Sequence, residues 1–456
     1  MSTETLQVLL QPRPYARASG RLLLLPLLPP RPPTKTLPAE VWRDIVEVVL
    51  ESDLKHAEFS SRRASNGLAL LSVCKGLQDI ALPLFYAAIQ LGKLASLKSF
   101  AACVIDADKK WDSIRRIPYS SPGRWVQALD LTRMKSTSRA DTFALDSLLT
   151  TLFPVLPFLA RLALDPAFVL SRRALRTLAQ AECAARMRYL EGLSYQPDTL
   201  GVDDEDVLVQ LVQACPSLVE LQVIGPGLDP FDLDFSPVPE DDPETPPPPA
   251  QHAPFHLPHL HTLILLSIPA SPLMHALLRT PLPKLRTLTL TPYDDLPAPF
   301  SLMSEFLTVH GGALRSLLLS TPHAWPTRPH PTPADLLCLC PQLSHLSLEH
   351  PLPTLIMPSA AAHSFLGRHE PAAPHPLRTL SLPRPAAAYW PTLAAALPHL
   401  PALAAVRARD VRWLRRGMNV HSQASGVQGE LREWRRRLLR RKIAVLDADW
   451  KECECE

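Results

Sequence analysis

Apolar positions in this chain return in one short phrase, Leu-x-x-Leu-x-Leu, with polar or small residues between them. Clear copies are Leu159, Leu162, Leu164; Leu218, Leu221, Val223; Leu260, Leu263, Leu265; Leu285, Leu288, Leu290; Leu314, Leu317, Leu319; Leu343, Leu346, Leu348; and Leu377, Leu380, Leu382. A copy at Leu190, Leu193, Tyr195 ends on an aromatic ring, and degenerate ones stand at Val126, Leu129, Leu131 and at Leu400, Leu403, Val406. The middle residues, at 129, 162, 193, 221, 263, 288, 317, 346, 380 and 403, lie 23 to 42 positions apart with a mean of about 30.

The last three positions of the phrase alternate, so they read as a short strand with both apolar side chains on one face. Stacking such strands in a parallel sheet lines the leucines up in interior columns, each buried leucine contributing roughly 1.5 to 3 kcal/mol. A β-sandwich would instead return its strands about every 8 to 12 residues. Between phrases, stretches such as 174–185 and 204–214 carry helical apolar spacing and are expected to cover the outer side of the sheet. Phrase and period together predict an α/β fold, a leucine-rich-repeat solenoid in horseshoe form, over residues 93–446.

The longest gap has a visible cause. Residues 226–254 hold ten prolines, seven acids and no lysine or arginine, too little apolar surface to pack, and are expected to be a disordered insertion. Ser236 and Thr245 each precede a proline, which leaves a phosphorylated flap as an alternative to a merely tolerated insertion.

Ahead of the repeats the pattern is helical. The stretch Leu37 to Leu50 sets Pro38 near a helix start and places apolar residues at 41, 45, 48 and 49, the spacing of one buried helix face. A polar loop over 51–66 follows. A second helix over Leu70, Leu71, Val73, Cys74 and Leu77 continues through Ile80, Ala81, Leu84 and Phe85 after a bend near Gln78-Asp79, with Pro83 as a local break. Residues 34–92 therefore read as a small three-helix domain, behind a disordered Pro/Leu-rich tail at 1–33; residues 447–456 read as a second tail.

Composition narrows the functional classes. With 51 prolines and 15 glycines the chain is poor in the residue that phosphate-binding loops and nucleophile elbows require. No G-x-S-x-G, P-loop, dinucleotide glycine pattern or H-E-x-x-H occurs, so the chain reads as no enzyme and needs no cofactor. Eight cysteines show no disulfide framework or zinc-finger spacing, which suits a reducing intracellular setting, cytoplasmic or nuclear. His252, His256, His259 and His261 lack the paired spacing and acids of a metal site, and no metal is expected. The apolar run Leu22 to Leu28, interrupted by Pro26, is far shorter than the roughly 20 residues of a membrane helix; Arg13, Arg17 and Arg21 leave a mitochondrial presequence as a minor alternative.

Between Arg407 and Lys442 twelve basic residues face three acids, net +9 in a chain of net +3, which leaves −6 for the rest. This stretch is read first as a terminal helix capping the solenoid, followed by a last strand at Ile443 to Leu446. The alternative is a phosphate-binding surface for nucleic acid, an anionic membrane or an import receptor.

The front residues Leu37-Pro38-x-Glu40-Val41-x-x-x-Ile45, followed by Leu70-Leu71-Ser72-Val73-Cys74-Lys75 and Ile80-Ala81-Leu82-Pro83-Leu84-Phe85-Tyr86, resemble the F-box of fungal F-box and leucine-rich-repeat proteins. The resemblance covers about 50 residues, with a loop at 51–66 longer than that of a compact F-box. It implies docking on a Skp-family adaptor that links to a cullin-RING ubiquitin ligase. Carried over by position, the adaptor-facing residues are Leu37, Pro38, Val41, Ile45, Leu71, Val73 and Cys74.

On the sheet, the residues flanking the interior leucines point to solvent: Glu220, Gln222, Thr262, Thr287, Thr289, Ser316, Ser347, Thr379 and Ser381. This hydroxyl-rich stripe is expected to bind a client protein by hydrogen bonds and shape. The chain then reads as the substrate-recognition subunit of an SCF-type ligase, or as a free-standing leucine-rich-repeat scaffold.

Overall fold

A computed structural model describes residues 37–52, 69–109, 121–135, 138–195, 206–225, 255–268, 271–292, 302–321, 333–350, 352–356, 374–413 and 426–452. The tail at 1–33, the insertion 226–254 and most of the polar loop 51–66 lie outside the described residues.

Among the described residues twelve strands form one sheet whose spatial order is the chain order: β1 (Ala88–Gln90), β2 (Ala128–Asp130), β3 (Arg161–Ala163), β4 (Tyr189–Ser194), β5 (Glu220–Ile224), β6 (Thr262–Leu266), β7 (Thr287–Leu290), β8 (Ser316–Leu319), β9 (His345–Ser347), β10 (Thr379–Leu382), β11 (Ala405–Ala408) and β12 (Ala444–Leu446). All pairings are parallel. Each strand thus pairs only with the strands before and after it, an α/β arrangement compatible with a solenoid.

One column runs in register through the sheet: Ile89, Leu129, Leu162, Leu190, Leu221, Leu263, Leu288, Leu317, Leu346, Leu380, Val406 and Val445. From Leu129 onward it is buried throughout, and the flanking columns starting at Val126 and Leu131 are buried with it. Nine successive carbonyls, from Gln127 to Arg378, each accept two N–H groups from the start of the next strand at 2.7–3.1 Å, repeating one ladder motif along the stack.

The register corrects the phrase in two places and extends it in two. In β4 the column residue is Leu190, not Leu193, because Gly192 sits at φ +70° in a bulge that brings Leu193 opposite Val223 one position late. A Cβ on Gly192 would stand 2.0 Å from the Leu164 carbonyl oxygen, so only glycine fits. In β11 the phrase is Leu403, Val406, Ala408 rather than Leu400, Leu403, Val406. A copy missed at the front is Tyr86, Ile89, Leu91, which puts β1 inside the segment read as helical domain, and β12 adds Val445 at the other end.

Helices stack along one side of the sheet. Their starts are set by side-chain caps: Ser138, Ser171 and Ser271 accept from the N–H three residues on, and Asp206 from Leu208 N at 2.8 Å. Leu145, Leu149 and Leu152 on the Arg139–Leu152 helix and Leu273, Met274 and Leu277 on the Pro272–Arg279 helix turn inward onto the strand columns. The Gly426–Leu439 helix closes the far end with Leu431, Trp434 and Leu438 buried, and β12 follows it as the edge strand.

At the front the Ala39–Ser52 helix packs on the Lys75–Ala87 helix, and residues 69–71 ahead of the latter are helical. The break falls at 72–74, not at Gln78-Asp79, and the Lys75–Ala87 helix continues through Pro83. Its Tyr86 ring packs against Phe100 and Trp125 at 6.4 and 5.8 Å, anchoring the helix to the first units. No helix among the described residues is long and apolar enough to cross a membrane.

Candidate protein-binding surfaces

Two surfaces stand out, one on the front helices and one on the sheet face turned away from the helices. On the Ala39–Ser52 helix, at 100° per residue, positions 41, 45 and 48 fall on one line and 46 and 50 on another. Val46 and Leu50 are buried in a small core with Ala81, around which Leu70, Leu71, Leu77 and Leu84 pack. Val41, Ile45 and Val48 are 39, 42 and 65% exposed, and Leu37 and Val73 are 44 and 67% exposed. The apolar face expected inside is therefore outside, and a different pair of residues makes the core. Of the residues carried over by resemblance, Leu37, Pro38, Val41, Ile45, Val73 and Cys74 are exposed and Leu71 is half-buried against the small core.

The open face of the sheet is built by the residues between the interior columns. One row in register reads Arg161, Tyr189, Glu220, Thr262, Thr287, Ser316, His345, Thr379 and Ala405. A second reads Gln222, Ile264, Thr289, Leu318, Ser347, Ser381 and Arg407. Glu220, Gln222, Thr262, Thr287, Thr289, Ser316 and Thr379 are half-buried on this face, together with Ile264 and Leu318. The alternation rule that selects the threonines selects these two apolar residues equally, and their hydrophobic character is what hid them.

Ser347 and Ser381 are not available on this face: they are 1 and 0% exposed. Arg409, just past β11, reaches back across the sheet and donates to Ser347 Oγ at 3.0 Å, to the Leu319 carbonyl at 2.9 Å and to Glu349 at 2.7 Å. His345 Nε2 lies 3.0 Å from Ser381 Oγ. Over this cluster the chain returns after β12. Trp450 stacks 4.2 Å from the Arg407 guanidinium and edge-on to His345, and Arg407 donates to the Ala448 carbonyl at 2.6 Å. Leu446 and Glu452 form an antiparallel bridge, so residues 447–452 are a folded closure of the sheet, not a free tail. Burial, then Arg407 and Arg409, hold the His345 imidazole below its ordinary pKa, so it stays neutral beside the two guanidiniums.

No family model matches the chain, and no curated protein matches it.

Charge is graded along the open face. At the β3–β5 end Arg161 pairs with Glu191 at 2.9 Å, while burial first and Glu191 second push the Glu220 carboxyl above its ordinary range. The middle, from β6 to β8, is threonine, serine, isoleucine and leucine. The far end is closed by Arg407, Arg409 and Trp450.

Elsewhere the polar groups serve the fold. A cavity of about 330 Å³ lies between the Arg139–Leu152, Arg172–Gln180 and Val207–Gln213 helices. Its carboxylates are engaged, Asp146 by the N–H and Oγ of Ser171 and Asp206 by Tyr195 Oη and Leu208 N. Burial pushes the thiols of Cys183, Cys215 and Cys340 up to about 11, 12 and 12, which removes them as nucleophiles at neutral pH. His261 Nδ1 lies 2.6 Å from the His259 carbonyl, and among the described residues no group of three or more His, Cys, Asp and Glu is placed to hold a metal.

Proposed function

We infer that the chain is a non-catalytic receptor of the F-box and leucine-rich-repeat type, which bridges a Skp-family adaptor of a cullin-RING ligase to a client protein. The observation that carries this reading is the exposed line Val41, Ile45, Val48 on the front helix, with Leu37 exposed just before it and Val73 exposed ahead of the Lys75–Ala87 helix. A helix that buries Val46 and Leu50 yet leaves several large apolar side chains in solvent suits a partner's groove, because contiguous exposed apolar residues mark interaction sites. The open sheet face would hold the client through Thr262, Ile264, Thr287, Thr289, Ser316 and Leu318. Chemistry would then belong to another subunit.

Co-purification with a Skp-family adaptor tests the first contact. The wild-type chain should retain the adaptor and Val41→Asp/Ile45→Asp should lose it while keeping its thermal unfolding transition. A folded wild-type chain that retains no adaptor overturns the reading. A client recovered with the wild-type chain should likewise be lost from Thr287→Arg/Ser316→Arg.

A second reading, a free-standing leucine-rich-repeat scaffold, draws on Tyr86: its packing on Phe100 and Trp125 makes the Lys75–Ala87 helix a cap for the first strand. It predicts that Val41→Asp/Ile45→Asp changes neither stability nor any partner.

A further inference from the structure

Capping the sheet accounts for one side of the Gly426–Leu439 helix and leaves the other unexplained. Leu431, Trp434 and Leu438 are buried against the last units. On the helix's outer side and in the turn after it, Arg436, Arg437, Arg440, Arg441 and Lys442 are all exposed, with the Arg437 guanidinium also stacked 4.9 Å over the Trp390 ring. Arg436 and Arg437 share one carboxylate, Glu433, at 2.8 Å each, Arg440 acts on the same carboxylate from farther away, and among the described residues Arg441 and Lys442 make no ion pair. The negative end of the helix dipole accommodates cations in the last turn, but it does not call for five.

We propose that this basic edge of the terminal cap binds the phosphodiester backbone of a nucleic-acid duplex, independently of the adaptor and client surfaces. Two alternatives fit less well. An interfacial membrane helix needs its apolar face free, whereas here that face is packed on the sheet and only Leu439, 63% exposed, stands among the cations. An acidic protein segment carries too little charge. The helix ends at Leu439, so Arg436 and Arg437 stand on its last turn and Arg440, Arg441 and Lys442 in the turn that follows, five cations within seven consecutive residues. A duplex presents one phosphate per ~1.7 Å of axis, whereas an extended peptide at ~3.3 Å per residue presents about half that charge density even if every residue is acidic. Four of the five cations are arginine, whose planar fork matches phosphate oxygens.

The test uses the full chain and a fluorescent 20-base-pair duplex of arbitrary sequence, titrated between 50 and 200 mM salt. With up to five phosphates neutralised, log K should fall against log salt with a slope of about −4.5, a loss of about 500-fold over that range. Arg440→Gln/Arg441→Gln should reduce the slope to about −2.7 and the loss to about 40-fold, with an unchanged thermal transition. The pair sits in exposed positions that the cap's packing does not use. No duplex binding, or a slope the variant leaves unchanged, overturns the proposal. So does binding to phosphatidylserine vesicles, or to a poly-glutamate peptide, that the same variant abolishes while the duplex is ignored.

Discussion

Replacing Arg409 by methionine keeps the buried stem and removes the guanidinium that ties β11 back to β8 and β9. The side chains of Arg409 and Glu349 are 18 and 17% exposed and meet at 2.7 Å. Breaking a fully buried pair costs about 3–5 kcal/mol; with one sixth of each group in water, and the Leu319 and Ser347 acceptors also losing their donor, Arg409→Met should cost about 3 kcal/mol. Most of that is the carboxylate left without its partner, so Glu349→Gln in the Arg409→Met background should recover about 1–2 kcal/mol. Urea unfolding of the wild type, both single variants and the double variant measures this coupling. Arg409→Met within about 0.5 kcal/mol of wild type, or a coupling indistinguishable from zero, would refute the brace.

Two further outcomes follow from the same packing. Gly192→Ala must bring a Cβ within 2.0 Å of the Leu164 carbonyl while keeping φ +70°, and should lower stability by more than 2 kcal/mol or so, read as the shift of the urea midpoint. His310, His345 and His375 are buried with pKa values held below the ordinary imidazole value, in each case chiefly by burial. Their unfolded forms take up protons first, so stability should be flat above about pH 6.5 and fall as pH drops below it. His375 gives this a structural cause. Its Nδ1 accepts from Leu377 N while Nε2 lies 3.1 Å from the Cys340 carbonyl, and protonation would abolish the acceptor. Thermal transitions recorded from pH 8 to 5 that do not move would contradict it.

The sheet is legible because its signal is redundant. Leucine columns three residues wide recur, and each copy confirms the phase of the next, so strand order and burial follow even where one copy is weak. The misreadings occur where redundancy fails. At β4 the extra residue Gly192 lets a leucine three positions on mimic the phase, and no feature short of the backbone conformation distinguishes Leu190 from Leu193. At β1 and β11 the phrase is written Tyr-x-x-Ile-x-Leu and Leu-x-x-Val-x-Ala, apolar enough to pack but too dilute to recognise. The closure by residues 447–452 has no periodic signal at all, since it rests on single contacts: Trp450 over Arg407, Arg407 on the Ala448 carbonyl, and the Leu446–Glu452 bridge.

The front surface was half legible, and the reason is geometric. Val41, Ile45, Val46, Val48, Val49 and Leu50 make an apolar stripe slightly more than half the helix circumference wide, from which periodicity alone cannot say which edge is inside. The answer lies in what is available to cover it. Among the described residues, the Lys75–Ala87 helix and the segment before it supply Leu70, Leu71, Leu77, Ala81 and Leu84, which bury the line through Val46 and Leu50. Once that line is taken, the geometry of two crossing helices leaves the line through Val41, Ile45 and Val48 in water. A stripe wider than the described residues of this domain cover is the physical reason for looking to a second protein at this end of the chain.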